Sequence, residues 1–299
     1  MTCFSALVKR NLRLFFKDKG LLLTSLITPL ILLVLFVSFL GNVYRDSFVL
    51  MLPEGFAIPD QVLSALVSGQ MVSSLLAVSC VTVSFCSNFL MVQDKALGIR
   101  ADLDVSPVSS ATLSLSYYVS TLLSSLIVCM TATLAGLAYI AVSGWYLSAI
   151  DVLCLVADVF LAVMFGTALS SVISHFLNSQ GQISAVGTIV SSGYGFLCGA
   201  YMPIASFSEG MQTVLSFLPG TYATSLFRNH AMRGATEQLR KLGLPDEAVH
   251  AMRDGMDCHL YFFDRPVPLS VMYLILIASI ALLVGIYVML CRMHKRRAR

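Results

Sequence analysis

The sequence predicts an all-α integral membrane protein with six transmembrane helices, and three observations carry that prediction. Hydrophobic residues make up 57% of the chain and charged residues only 12%, with a positive mean hydropathy, a balance that water-exposed domains do not reach. Several charge-free stretches attain the roughly 20 residues that a bilayer core requires, and LITPLILLVLFVSFL lies within the first of them. The period-two alternation of a membrane barrel is absent. Spans are read at Gly20–Leu40, Val62–Val92, Ala111–Val142, Ile150–Ile173, Ile183–Met202 and Leu269–Cys291, forming one domain over residues 1–299.

Each remaining segment is placed by its charge. Removing the spans leaves twelve Lys and Arg on the side of Lys9, Lys95 and Arg292 and seven on the other, six of these seven in the long segment 203–268, where charge has little topological weight. Both termini are therefore expected in the cytoplasm, at a cytoplasmic membrane. Gly20–Leu40 is too long for a signal-peptide core and no small-residue cleavage site follows it, so the first span is read as retained. The tail RMHKRRAR suits anionic headgroups better than nucleic acid.

Eight cysteines do not make a disulfide scaffold here, because Cys80, Cys86, Cys129, Cys154 and Cys198 fall within spans and no CxxC pair exists. A Cys258–Cys198 bridge is conceivable, but packed core thiols are the preferred reading. The five histidines sit at no metal-ligand spacing, and HExxH and GxSxG are missing, which argues against an intramembrane enzyme.

Ahead of the first span, residues 1–19 place Phe4, Leu7, Val8, Leu12 and Phe15 on one helical face and Lys9, Arg10, Arg13 and Lys17 on the other. An interfacial helix on the inner leaflet follows, which either anchors the chain or also forms one wall of a docking site. Between spans two and three, QDKALGIRADLDVSPVS mixes Asp94, Asp102 and Asp104 with Lys95 and Arg100, so anionic lipid would repel it. With Gly98 near its start and Pro107 near its end, the loop over 93–110 is read as a short exposed knob that fits another protein.

At these residues the chain resembles the ABC type-2 permeases. The carriers of the resemblance are Asp94, Lys95, Gly98, Pro107, Val108 and Ser109 in the loop, then Gly199, Pro203, Leu218, Pro219, Tyr222 and Arg228 after span five. Two departures stand out: Asp94-Lys95 where the family often has Glu-Arg, and Gly98-Ile99 where it often has Gly-Thr. The resemblance implies the membrane subunit of an ATP-driven exporter, with ATP and magnesium held by a separate ABC ATPase present in two copies and none held by this chain. It also implies a second permease subunit, most simply in a homodimer. In keeping with this, the chain has no GxxxxGK[ST] phosphate loop. Coupling to the ATPase is expected through Lys9, Arg10 and Arg13 with Asp94, Lys95, Gly98, Arg100, Asp102 and Pro107. The resemblance further assigns an exterior gate to IASFSEGMQTVLSFLPG and its flanks, with Pro203, Glu209, Leu218, Pro219 and Tyr222.

The exterior segment 203–268 is expected to hold only short helices, one a re-entrant or interfacial hairpin and another opening at Pro245 with Gly255 just past its end. Asp151 and Asp158 are seven residues apart and so share a face of span four; they either line a pathway or bond a Ser, Thr or Tyr of a neighbouring helix, and packing is favoured. Gly195 and Gly199 form a GxxxG pair that suits packing within the chain or against a second copy. A secondary transporter is the rival reading, though no inverted repeat is visible. Apolar, Ser-rich spans suit an amphiphilic or hydrophobic cargo, drug-like, peptide or lipid-linked.

Overall fold

The computed structural model describes residues 3–53, 56, 58–106, 108–263 and 265–297, with no side-chain detail at 28, 37, 104 and 294–297. Pro107 and Arg299 of the sequence reading lie outside these residues. Among the described residues the chain is helical apart from one small hairpin.

Helix α1 (Cys3–Lys17) turns Leu7, Val8, Asn11 and Phe15 inward and leaves Lys9, Arg13 and Lys17 exposed, the amphipathic split expected of it. Rather than standing apart from the bundle, it packs along α6 (Ser110–Ser143), where Leu7 joins Met91, Leu113 and Tyr117 in a small apolar cluster. Asp18 ends α1 and starts the next helix: its Oδ1 accepts from Gly20 N at 2.8 Å and Leu21 N at 3.1 Å. Helix α2 (Lys19–Leu35) continues through a π turn at Phe36–Leu40 into α3 (Gly41–Leu50).

Helix α4 (Asp60–Ala96) is the pillar of the fold. Its 37 residues extend to ~55 Å at ~1.5 Å per residue, well beyond a hydrocarbon core of ~30 Å, so both ends emerge from the apolar zone. Its apolar stretch is buried on all sides, because α2, α6, α7 (Ala149–Phe176), α8 (Gln180–Leu197) and α10 (Pro219–Lys241) all pack on it. A helix surrounded by protein needs no polar face, and a run of Ser, Ala and Cys lets neighbours come close. The short α5 (Ile99–Asp104) turns the chain into α6, and α12 (Leu269–Arg297) closes the bundle against α7 and α10.

Among the described residues, five helical stretches are long and apolar enough to cross a membrane: Lys19–Leu50, Asp60–Ala96, Ser110–Ser143, Ala149–Phe176 and Leu269–Met293. The fifth predicted span, Ile183–Met202, is the one without such a stretch: it corresponds to α8, which has 18 residues, carries Gln180 and Gln182, and ends at Leu197 rather than Met202. The physical reason is Gly199, whose φ of +72° is a left-handed stop.

The segment 203–268 departs most from expectation. A 3-10 turn at Ile204–Ser206 and α9 (Glu209–Ser216) are short, as read, but α10 is a 23-residue helix whose residues Gly220–Met232 are buried against α4, α7 and α12. α11 (Asp246–Gly255) begins behind Pro245 as expected, with Gly255 as its last residue. Strands β1 (Leu260–Phe262) and β2 (Arg265–Val267) form an antiparallel hairpin with Tyr261 opposite Pro266. All eight cysteines are free, so the Cys258–Cys198 bridge is not formed, and Cys198 and Cys258 are buried core thiols.

Candidate functional site

The site has a terminal end, where α1, α5 and the last turns of α7 and α12 meet, a cleft along the bundle, and an opposite end built on α9 to α11.

At the terminal end the structure revises the exposed knob. Asp94 belongs to the last turns of α4 and is only 3% exposed. Arg10 Nη1 donates to its Oδ2 at 2.8 Å, Nη2 donates to Oδ1 at 3.4 Å, and the Tyr117 hydroxyl donates to Oδ2. Burial works against the Arg10 charge, but Asp94 outweighs it and holds the guanidinium above its ordinary pKa. Lys95 points the other way: Nζ donates to the carbonyls of His175 at 2.9 Å, Ser174 at 3.2 Å and Leu177 at 3.3 Å, capping the negative end of the α7 dipole. Asp94 and Lys95 thus fasten α1 and α7 to α4. Arg100 lies over the Tyr117 ring at 5.8 Å.

What remains outward is a different set. Gly98 takes φ +78° and turns the chain into α5, so that Leu97, Ala101, Asp102 and Val105 are exposed, Val105 to 87%. Lys9 and Arg13 of α1 are also exposed. Leu97 and Val105 were missed because only charge marked the loop as a contact; two apolar residues bracketing a short helix were the available signal.

The cleft, with a volume of about 1350 Å³, runs between α2–α3 and α8 over a floor of α4. It begins at Asp18 and Gln93 and ends at Tyr201, Met202, Pro203 and Ser206, so it traverses the bundle. Its wall is mostly apolar, with Leu, Ile and Phe side chains prominent, and Asp18 is the one charged residue among the described lining. Along α8 the hydroxyls of Ser184, Thr188 and Ser192 each donate to the carbonyl four residues back, at 3.2, 2.9 and 2.7 Å, which leaves their lone pairs as acceptors. Tyr44 of α3 lines the cleft, while its hydroxyl is buried beside Gln70 and Ser74 of α4. A cleft of this kind offers apolar area with scattered polar anchors.

At the opposite end, Pro203 alone of the expected gate residues lines the cleft. Leu218 and Pro219 form the corner from α9 into α10, Tyr222 is buried there and donates to Ser216 O at 2.6 Å, and Glu209 is exposed in the first turn of α9. Gly195 and Gly199 serve the chain itself: a Cβ on Gly195 would collide with the Tyr201 ring, and Gly199 makes the stop described above. These are the intrachain contacts of the two alternatives.

Helix α10 is held by a polar network centred on Arg228, Asn229 and His230. Arg228, 1% exposed, donates to Asp257 Oδ2 at 2.7 Å and Gly199 O at 2.6 Å. Burial raises the Asp257 carboxyl above its usual pKa, and Arg228 draws it part of the way back. Asn229 donates to Cys258 O at 2.5 Å and accepts from Arg253 at 2.7 Å. His230 Nδ1 meets Asp158 Oδ2 at 2.5 Å, and Tyr273 donates to Asp158 Oδ1 at 2.7 Å, so Asp158 has the packing role, bonding a Tyr as one reading allowed. Asp151 forms a capping box with Ser148 and reaches Arg233 at 3.4 Å. Neither Asp151 nor Asp158 lines the cleft. Sequence reasoning missed His230, Asp257 and Tyr273; the consecutive Arg228-Asn229-His230 in a helix was the visible sign.

A multi-pass helical bundle with a through-running cleft and a small helix projecting at one end defines a membrane permease. Residues 2–231 match the family described as ABC-2 type transporter, and the chain belongs to that family. Its members are the non-catalytic transmembrane subunits that work with an ABC ATPase. A search of curated proteins returned no match.

Proposed function

We propose that this permease subunit exports an amphiphilic or hydrophobic compound across the cytoplasmic membrane, driven by two copies of a separate ABC ATPase that bind ATP and magnesium. Both termini face the cytoplasm in this reading, and the ATPase docks on α5 and the exposed charges of α1. A second copy of the chain completes the pathway, and the Pro203 rim closes its outer end. The observation that carries the reading is the cleft: it runs from the α5 end to the α9 end, is apolar along most of its length, and carries acceptor hydroxyls, with Asp18 its one described charge. A cargo with an apolar body and a few donors matches that wall, whereas a small ion finds no charge ladder in it.

The Asp158–His230 pair is the feature a proton-driven carrier would use, but it is buried away from the cleft, which favours the ATP-driven reading. The test is transport by inverted vesicles containing the permease with its copurifying ATPase. Uptake of a fluorescent amphiphilic dye is expected with ATP and magnesium and not with an imposed proton gradient. Gradient-driven uptake without ATP would sink the proposal.

A further inference from the structure

At the opposite end, outside the cleft, lies an aromatic cluster that nothing among the described residues covers. Met211 and Val214 of α9 and Phe217 at its C-terminal cap are exposed, with Leu215 buried behind them. Phe217 meets Phe262 and Phe263 of the hairpin edge-on, with ring centroids 5.1 and 6.3 Å away, and Tyr261 is exposed beside them. Phe217 is 61% exposed and Phe263 67%. Phe263 also has φ +46°, a left-handed conformation that is strained for a bulky side chain and ordinary for glycine. The turn therefore keeps a phenyl ring at an exposed tip against both backbone preference and hydration, which points to an apolar surface outside the chain.

The depth of the cluster identifies that surface. Thr221 Oγ1 donates to Leu215 O at 2.9 Å and lies 3.4 Å from Leu197 O, so the end of α9 sits beside the last turn of α8. On its other side the hairpin runs through Pro268 directly into α12, whose first turns expose Leu269 and Leu274. α12 is one of the membrane-length stretches, so the hairpin stands where an apolar helix emerges, and Arg265 stands exposed at the hairpin as a polar rim. Phe217, Phe262 and Phe263 do not line the cleft, where a second copy would close the pathway. Aromatic rings at the level where apolar helices emerge occupy the boundary between acyl chains and headgroups.

We propose that the α9 face and the hairpin tip form a lipid anchor, with Phe217, Phe262 and Phe263 seated in the headgroup–acyl boundary of the leaflet opposite the terminal end. The anchor is independent of cargo and of ATP. It fixes the height of the α9–α10 corner, and through Pro203 that of the cleft rim.

The chain contains one tryptophan, Trp145, so a single-tryptophan probe is available. With Trp145→Phe as background, Phe263→Trp and Phe217→Trp are made separately, and the full chain is reconstituted into phosphatidylcholine vesicles with or without brominated acyl chains. For both probes brominated lipid is expected to cause about a twofold loss of emission, with little further loss on adding iodide to the water. Iodide quenching as strong as in the denatured protein would place the rings in water and overturn the proposal. Quenching by neither agent would place them against protein and overturn it equally.

Discussion

Asp94 and Lys95 are neighbours in the chain, yet they bond opposite sides of the bundle, and that difference sets what each substitution does. Asp94 is the acceptor for Arg10 and Tyr117 in a nearly water-free corner, so Asp94→Ala leaves a guanidinium and a phenol without their partner. Because Arg10 keeps 30% of its side chain exposed, the loss is expected at the lower end for a broken buried pair, about 3 kcal/mol. Asp102→Ala, on the exposed face of α5, is expected to change stability by no more than about 0.5 kcal/mol. Thermal unfolding of the two variants in detergent micelles makes the comparison, and equal destabilisation would refute the assignment of Asp94 as a fastening. Arg228→Ala should be costlier, about 3–5 kcal/mol, since it strands the Asp257 carboxylate at full burial and frees Gly199 O. Arg228→Lys should recover only part of this, because one ammonium cannot hold both acceptors in the forked geometry. The same unfolding series reads both, and recovery to the wild-type midpoint by the lysine variant would count against the fork.

At the scale of elements, the division between what the sequence declared and what it concealed follows from whether the cause is local. The apolar helices, the amphipathic α1 and the limits of α11 at Pro245 and Gly255 were legible because periodicity, proline and glycine act within a few residues. Helix α10 was not. It is polar in composition, and the groups that satisfy it stand far off, Asp257 29 residues ahead of Arg228 and Asp158 72 residues behind His230. Asp94 was misplaced for a related reason: α4 overruns the bilayer by several turns, so charges that look like loop are still helix, and their partners on α1 and α6 are visible only in three dimensions. The consequence for coupling is specific. Neutralising Asp94, Lys95, Arg100 and Asp102 together would loosen the bundle as well as alter the surface, and so could not isolate a docking role. Leu97→Asp with Val105→Asp alters only exposed positions of the α5 face. That double variant is expected to keep helix content and unfolding midpoint while lowering permease-stimulated ATP hydrolysis to the rate of the ATPase alone. Undiminished stimulation would remove α5 from the interface.

At the scale of the whole molecule, the cleft poses a problem that one chain does not solve. It opens sideways between α2–α3 and α8, and the exposed side of α8 carries Ser184, Thr188 and Ser192 in a helix less apolar than the five membrane-length stretches. Acyl chains offer nothing to hydroxyl acceptors, whereas a second copy facing the first would convert two open clefts into one enclosed pathway and take those hydroxyls out of lipid. If the axis of that pairing runs beside α8, equivalent residues on the two copies approach each other. Cys3, Cys154 and Cys291 are the thiols not buried in the core, so replacing them with serine gives a background of five shielded cysteines. Single cysteines at Ser184, Thr188 and Ser192 are then expected to include at least one that yields a crosslinked dimer under mild oxidation in membranes. Ile277→Cys, exposed on α12 and outside the cleft lining, is expected to yield none. A dimer band from Ile277→Cys alone would move the interface to the other flank of the bundle. Absence of a band at all four positions would leave the cleft open to lipid and would remove the enclosed pathway on which a water-shielded transit of an amphiphile depends.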